Sequence, residues 1–283
     1  MSKIGVIVCG NSGIDYIKHD YDIRVMRSML LFGGEEYTDF VDITAEAFYE
    51  KLRADQKIIP STAQTATGVI LELYENMRDE GYEEIIAITI SSKLSGTYEG
   101  AQMAAKMVEG VKVTVFDSLS VATAEAHMAL TAAKMAKEGK KMTDIVDALT
   151  KIREGQGLLV SVDTLLYLVK NGRLSGASGF VGSLLKIKPM LQLSRDGKIE
   201  AAEKIRTRKK AIDRIIDKFL TDYAQEGVEP FIVHAHDQET ADQIRQRLLE
   251  ARPDFKEIKD YPLTPVVGAH AGPGAVAIGW IKP

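Results

Sequence analysis

Short apolar runs alternate along the first half of the chain with segments whose apolar positions recur every three or four residues. That is the pattern of strands separated by helices. Residues 4–9 read as a buried strand, Thr44 opens a helix over 45–52, and Val69, Ile70, Leu73 and Met77 mark one face of a helix ending near Gly81. A strand at 85–90, a helix at 98–109 and a strand at 111–116 follow, the last closed by Asp117-Ser118. Two helical stretches at about 120–137 and 143–154 complete this half. Strands joined through helices imply right-handed crossovers and a mostly parallel sheet with helices on both faces. Residues 20–40 fit the pattern poorly and read as a strand with a long loop.

The second half follows a different pattern. Apolar runs at 187–194 and 198–205 flank Arg195-Asp196-Gly197, and Asp-Gly between two such runs signals a hairpin, so antiparallel pairing enters here. A helix over 207–225, a strand at 230–235, a helix over 238–250 and strands near 256–261 and 275–281 predict an α+β unit. The chain has 283 residues, more than a usual single domain, and the fold class is read as α/β in two domains, 1–158 and 159–283. Residues 158–162 read as the hinge between them. No internal repeat, low-complexity segment or membrane-binding helix is legible.

Charge and composition narrow the function classes. The formal net charge is -4, yet between Lys186 and Arg214 ten Lys or Arg stand against four Asp or Glu. Such a run is a solvated face or a dock for an acidic or phosphate-bearing partner. Aromatic residues make up only 7%, which argues against stacking platforms for nucleic acid. Cys9 is the only cysteine, so an internal disulfide and a multi-cysteine metal site are excluded. The apolar segment before it is too short for a signal peptide or a membrane span, and the expected setting is the reduced cytoplasm.

Two places carry candidate chemistry. The 85–90 strand runs into Ser91-Ser92-Lys93-Leu94-Ser95-Gly96-Thr97-Tyr98, a cluster of hydroxyls at a strand-to-helix turn. A helix start offers unpaired N–H groups and the positive end of the helix dipole, which suit an anionic oxygen group. Ser95 is best placed to donate to it, with Gly96 allowing close approach; the same serine would also serve as a plain helix cap. Near the other end, Gly268-Ala269-His270-Ala271-Gly272-Pro273-Gly274 sets one histidine in a turn of small residues. His127, His234 and His236 lack partners at ligand spacing, so no metal site is expected.

Four strings in this order resemble the signatures of the DegV family: 92–98, Leu168-Val169-Lys170-Asn171-Gly172-Arg173-Leu174-Ser175, Leu185-Lys186-Ile187-Lys188-Pro189 and 270–274. The resemblance covers nearly the whole chain and implies two α/β-type domains with a fatty acid in the cleft between them. It also implies a FakB-type role, in which a non-enzymatic subunit presents the bound acid to a separate ATP-binding kinase subunit that makes the acyl phosphate. The family's Thr-Ser-Gln-Pro threonine, a carboxylate ligand, is matched by Thr62 in Thr62-Ala63-Gln64-Thr65, where the second and fourth positions differ. Ser95 matches the serine that binds the same carboxylate, and His270 a histidine beside it. Arg173 and Arg206 match arginines that become candidates for the kinase-facing surface. Where the family begins with a strand ending in Thr-Asp-Ser, this chain has Cys9-Gly10-Asn11-Ser12, so that carboxylate is missing.

The resemblance names no cofactor; the fatty acid is the ligand. The competing reading is a free-standing acyl hydrolase or phosphotransferase. Ser95 lacks the Gly-x-Ser-x-Gly setting, and no Gly-x-x-x-x-Gly-Lys-Ser/Thr segment is present for ATP. A nucleic-acid regulator is disfavoured by the net acidic chain. Residues of an apolar tail pocket cannot be told from core by pattern, which leaves Met26, Met29, Met103 and Phe180 open between the two.

Overall fold

The alternation of side chains along its strands sorts this molecule into layers. A computed structural model describes residues 3–55, 57–176 and 187–282. The chain opens with β1 (Ile4–Cys9), β2 (Ile23–Met26), β3 (Met29–Phe32), β4 (Glu35–Thr38), α1 (Ala45–Ala54) and β5 (Ser61–Ala63). It continues through α2 (Thr67–Asp79), β6 (Glu84–Thr89), α3 (Thr97–Met107), β7 (Lys112–Asp117), α4 (Thr123–Lys137) and α5 (Met142–Gly155). Then come β8 (Gly157–Ser161), α6 (Leu166–Lys170), β9 (Met190–Leu193), β10 (Ile199–Glu203) and α7 (Arg208–Lys218). The described chain closes with β11 (Glu229–His234), α8 (Gln238–Ala251), β12 (Lys259–Pro262), α9 (Pro265–Ala271) and β13 (Val276–Ile281).

Among the described residues the strands form three sheets. The first, β2-β1-β6-β7, is wholly parallel. The second runs β10-β9-β8-β13-β11-β12 and is mostly antiparallel, with β9 and β10 forming the hairpin expected around Asp196-Gly197. A small sheet, β4-β3-β5, stands apart from both.

In the parallel sheet Ile7, Cys9, Ile85 and Ala87 face α2 and α3, while Val6, Val8, Ile86 and Ile88 face the other way. In the antiparallel sheet Leu159, Ile232, Val276 and Ile278 pack under α7 and α8, and Leu158, Val160, Val233 and Ala277 face back toward the first sheet. Helix α4 fills the layer between and touches β1, β6 and β13. A helix with sheets on two sides needs small residues around its girth, which is why Ala124, Ala126, Ala129, Ala132 and Ala133 are all buried.

Three sequence expectations change. Residues 20–40 hold three strands rather than one and a loop: Gly33 and Gly34, both at positive φ, close a two-residue hairpin in which Phe32 pairs with Glu35. The stretch 158–162, read as a hinge, is β8 with its buried end, an inner strand of the larger sheet. The small-residue stretch around His270 is the end of α9 followed by a turn at Pro273-Gly274, so the histidine sits on a helix and not within the turn. Pro265 opens that helix after Thr264, and Gly268 is small because a Cβ there would collide with the Tyr49 and Phe48 rings. Small residues that serve close packing look the same in sequence as small residues that serve a turn.

One half-buried group in α4 makes the fold sensitive to acid. The His127 ring stacks on Phe231 at 5.7 Å, and burial, followed by the charge of Lys259, lowers its pKa to about 4. Its unfolded value is about 6.5, so between the two the unfolded chain holds a proton that the folded chain refuses. Stability is therefore lost as pH falls from about 6.5 toward 4. His127→Phe, which keeps a ring on Phe231, is expected to gain about 2 kcal/mol on the wild type between pH 8 and pH 5, read from urea unfolding. An equal difference at both pH values would mean that the imidazole is protonated inside the fold.

Candidate functional site

A cavity of about 270 Å³ lies where the carboxyl ends of the parallel strands meet the inner face of the larger sheet. The crevice beyond the strand ends is where open α/β sheets leave room for ligands. Its floor is set by register. Val233 pairs with Ala277, Ala277 with Val160, and Val160 with Leu191, so four apolar side chains stand in one row across four strands. Ala277 is the small member of that row, and the space above it is part of the cavity. Ile90, Val121, Val266 and Val267 supply further apolar wall from the other side.

Polar groups gather at one end. Strand β5 pairs Thr62 with Leu30 and presents it toward α9, where its Oγ1 lies 2.8 Å from His270 Nε2. Asn171 holds these two elements together: its side-chain Nδ2 donates to the carbonyls of Pro60 (3.1 Å) and Ala269 (3.0 Å). Ser95 precedes α3. Its Oγ is 2.9 Å from Thr97 Oγ1 and accepts the Thr97 N–H, which serves a helix start whose own cap, Gly96, offers no side chain. The Gln64 carboxamide packs on Gly96, in the place that a Cβ would take, and brings the Thr62 segment against the start of α3. The cavity is bordered by Thr62, Ser95 and His270 together.

The imidazole is neutral at physiological pH. Burial lowers His270 to about 4, and the positive charge of Arg173 pushes the same way. Its Nδ1 is buried with no hydrogen-bond partner among the described residues. With the proton on Nε2, the ring donates to Thr62 Oγ1, and the threonine keeps its own O–H for a ligand oxygen. The site then offers hydroxyl donors and a helix start, and among the described residues no cation is hydrogen-bonded to Thr62 or Ser95.

The two arginines part company. Arg173 lines the mouth of the cavity, donating from Nε to the Leu94 carbonyl at 3.2 Å and from Nη1 to the Asn171 carbonyl. The chain after α6 turns back at Gly172, and the bond to Leu94 sets the Arg173 side chain on the rim of the cavity. Arg206 is exposed in the bend between β10 and α7 and does not border the cavity. Met26 is core, Met29 belongs to β3, and Met103 is 57% exposed on α3; Phe180, Leu185 and Lys186 lie outside the described residues.

Sequence reasoning passed over Asn171, although it stands inside a motif. A side chain that ties two distant backbone carbonyls leaves no local periodicity to read. Among the described residues no group of three His, Cys, Asp or Glu is placed to hold a metal ion, and no helix is long and apolar enough to cross a membrane.

Comparison with known proteins places these features in a lineage. The family model described as "Uncharacterised protein, DegV family" matches residues 3–283. A DegV domain-containing protein of Staphylococcus aureus (strain N315) is 37% identical over 285 residues, covering 99% of this chain and 97% of that one. One from Halalkalibacterium halodurans is also 37% identical over 285 residues, covering 99% of each. The crystal structure of a fatty acid binding DegV family protein from Streptococcus agalactiae matches with a TM-score of 0.91 at 26% identity, over 100% of both chains. That of DegV, a fatty acid binding protein from Bacillus subtilis, matches with a TM-score of 0.87 at 32% identity, also over 100% of both.

Proposed function

Because the chain belongs to the DegV family, we propose that it binds one long-chain fatty acid in this cavity and presents the head group to a separate ATP-binding kinase subunit in the cytoplasm. The observation that carries the reading is a single cavity, apolar along its floor, with Thr62, Ser95 and His270 at one end. That division matches an amphiphile with one polar terminus. We place the cavity between the units 1–158 and 159–283.

The energetics suit such a ligand. Burying a tail contributes roughly 0.8 kcal/mol per methylene, so about fifteen of them gain on the order of 12 kcal/mol before the costs of association. Taking the carboxylate out of water opposes this unless donors replace the lost hydration. Hydrogen bonds to a charged group contribute about 1.5–3 kcal/mol each, and Thr62 and Ser95 supply two. Hydroxyls hold the head group without clamping it as a bidentate arginine would, which suits transfer to another protein.

A hydrolase reading has less support. The Ser95 hydroxyl bonds to Thr97 and not to a base, and in the Thr62–His270 pair the imidazole has no third group on its Nδ1, among the described residues, to orient it as a general base.

Arg206 and Arg173 test the presenting role. Arg206 stands in the basic stretch away from the cavity, and charge complementarity there would speed and orient docking. Arg206→Ala is expected to keep its full lipid content yet slow acyl-phosphate formation at least tenfold with the cognate ATP-binding subunit, more so as salt is added. Arg173→Ala should retain most of its lipid and lose transfer as well. Loss of lipid in step with activity in the Arg173 variant would assign its guanidinium to the ligand head group instead.

A further inference from the structure

We infer that Asn11 is a further ligand-contacting residue at the polar end of the cavity, and that Glu125, buried behind it, is the positioning residue that fixes its carboxamide. The inference rests on the fatty-acid reading above. Asn11 lies in the short turn Gly10–Ser12 that follows β1, is 4% exposed, and borders the cavity. Its Nδ2 donates to Glu125 Oε2 at 2.7 Å, and Glu125, from the first turn of α4, is 0% exposed.

The chain path sets Asn11 among the head-group residues. β1 pairs with β6, so the turn after β1 lies beside Ile90 and the loop that leads to Ser95. On its other side, Cys9 pairs with Met26, and the chain from there reaches Ser28, a cavity residue preceding the Met29–Ala63 pair of the small sheet. Asn11 therefore stands between the Thr62 and Ser95 segments.

Glu125 itself does not border the cavity. Among the described residues no ion pair reaches it; the groups that act on it most are Asn11, the Cys9 thiol and backbone, and the Asp117 carboxyl. Its Oε1 has no hydrogen-bond partner among the described residues. A buried carboxyl without a counter-charge keeps its proton, and burial accordingly pushes Glu125 well above the usual carboxylate range. This favours the neutral form of the pair, and the second Nδ2–H of Asn11 is left to meet a ligand oxygen. A carboxylate at position 11 would instead set a negative charge against an anionic head group.

The test is binding of cis-parinaric acid to delipidated protein, with hexadecanoic acid and hexadecanol as competitors and thermal melting as the control for folding. Asn11→Ala should bind the acid at least tenfold more weakly. Glu125→Gln, whose carbonyl oxygen still accepts from Asn11, should stay within about threefold of wild type. Glu125→Leu should lose as much as Asn11→Ala, and the double variant no more than either. Asn11→Asp should lose affinity for hexadecanoic acid and not for hexadecanol; this readout survives if Glu125→Leu fails to fold. Wild-type affinity in Asn11→Ala, or equal losses for acid and alcohol in Asn11→Asp, would overturn the inference while leaving the fatty-acid reading standing. No binding of the probe by the wild type would instead remove the reading beneath it.

Discussion

Replacing Thr62 and Ser95 together by alanine is expected to weaken binding of a long-chain fatty acid about 100- to 10,000-fold without unfolding the protein. Each substitution removes one hydrogen bond to a charged group, at about 1.5–3 kcal/mol, and about 1.4 kcal/mol is tenfold in affinity. The two hydroxyls sit on different elements, β5 and the loop before α3, so their losses should add. Thr62 and His270 behave differently. They share a hydrogen bond at 2.8 Å, and if the ring serves to aim the hydroxyl, then Thr62→Ala/His270→Ala should lose little more than the worse single variant. The fold tolerates these changes because neither hydroxyl is buried in the apolar core; Ser95→Ala gives up its bonds to the Thr97 N–H and hydroxyl, and the lost cap costs about 1 kcal/mol. Isothermal titration of the three single and two double variants, with melting curves, reads both quantities. An unaltered affinity in the Thr62/Ser95 double variant would mean that the hydroxyls only cap and brace the backbone.

Ala277→Leu should cost binding from the opposite end of the ligand. Ala277 is 1% exposed, yet it borders open space in the middle of the row Val233–Ala277–Val160–Leu191. Leucine adds three carbon atoms there. Excluding three methylenes of tail forfeits about 2.4 kcal/mol at ~0.8 each, close to fifty-fold in affinity. In the ligand-free protein the same side chain fills a void, so stability should hold or rise rather than fall by the 1–3 kcal/mol typical of overpacking. Weakened binding together with an unchanged or higher melting temperature identifies the cavity as the tail site. A destabilised variant that binds normally would show that Ala277 is packed core and that the tail lies elsewhere.

Much of this architecture is legible from periodicity because most elements are governed by local rules. The inner parallel strands β1 and β6 are nearly continuous apolar runs, since helices cover both their faces, and Asp196-Gly197 announces its hairpin. Gly33-Gly34 carries an equally local signal, overlooked because the strands it joins are only four residues long. β5 carries none: three small residues become a strand only because β3 lies beside them.

The site divides along the same line. Ser95 and His270 stand out as hydroxyl and imidazole in settings of small residues. Their partners do not, because the Thr62–His270 bond and the Asn171 brace join residues about a hundred or more positions apart. The cavity wall is hidden in the sequence, since Val160 and Val233 beside a cavity are apolar letters like Leu159 and Ile232 beneath a helix. Only register separates them. Arg173 shows the remaining limit: a glycine turn is visible in sequence, but not the direction in which it folds.

The most direct test of the central claim is mass spectrometry of an organic extract of the denatured protein, with the lipid quantified against the chain after purification from a bacterial cytoplasm. An apolar cavity in contact with abundant long-chain acids should be filled by mass action, and the expected result is about one fatty acid per chain. Finding no fatty acid in the extract, and none taken up when hexadecanoic and octadecenoic acids are supplied to the purified protein, would contradict it.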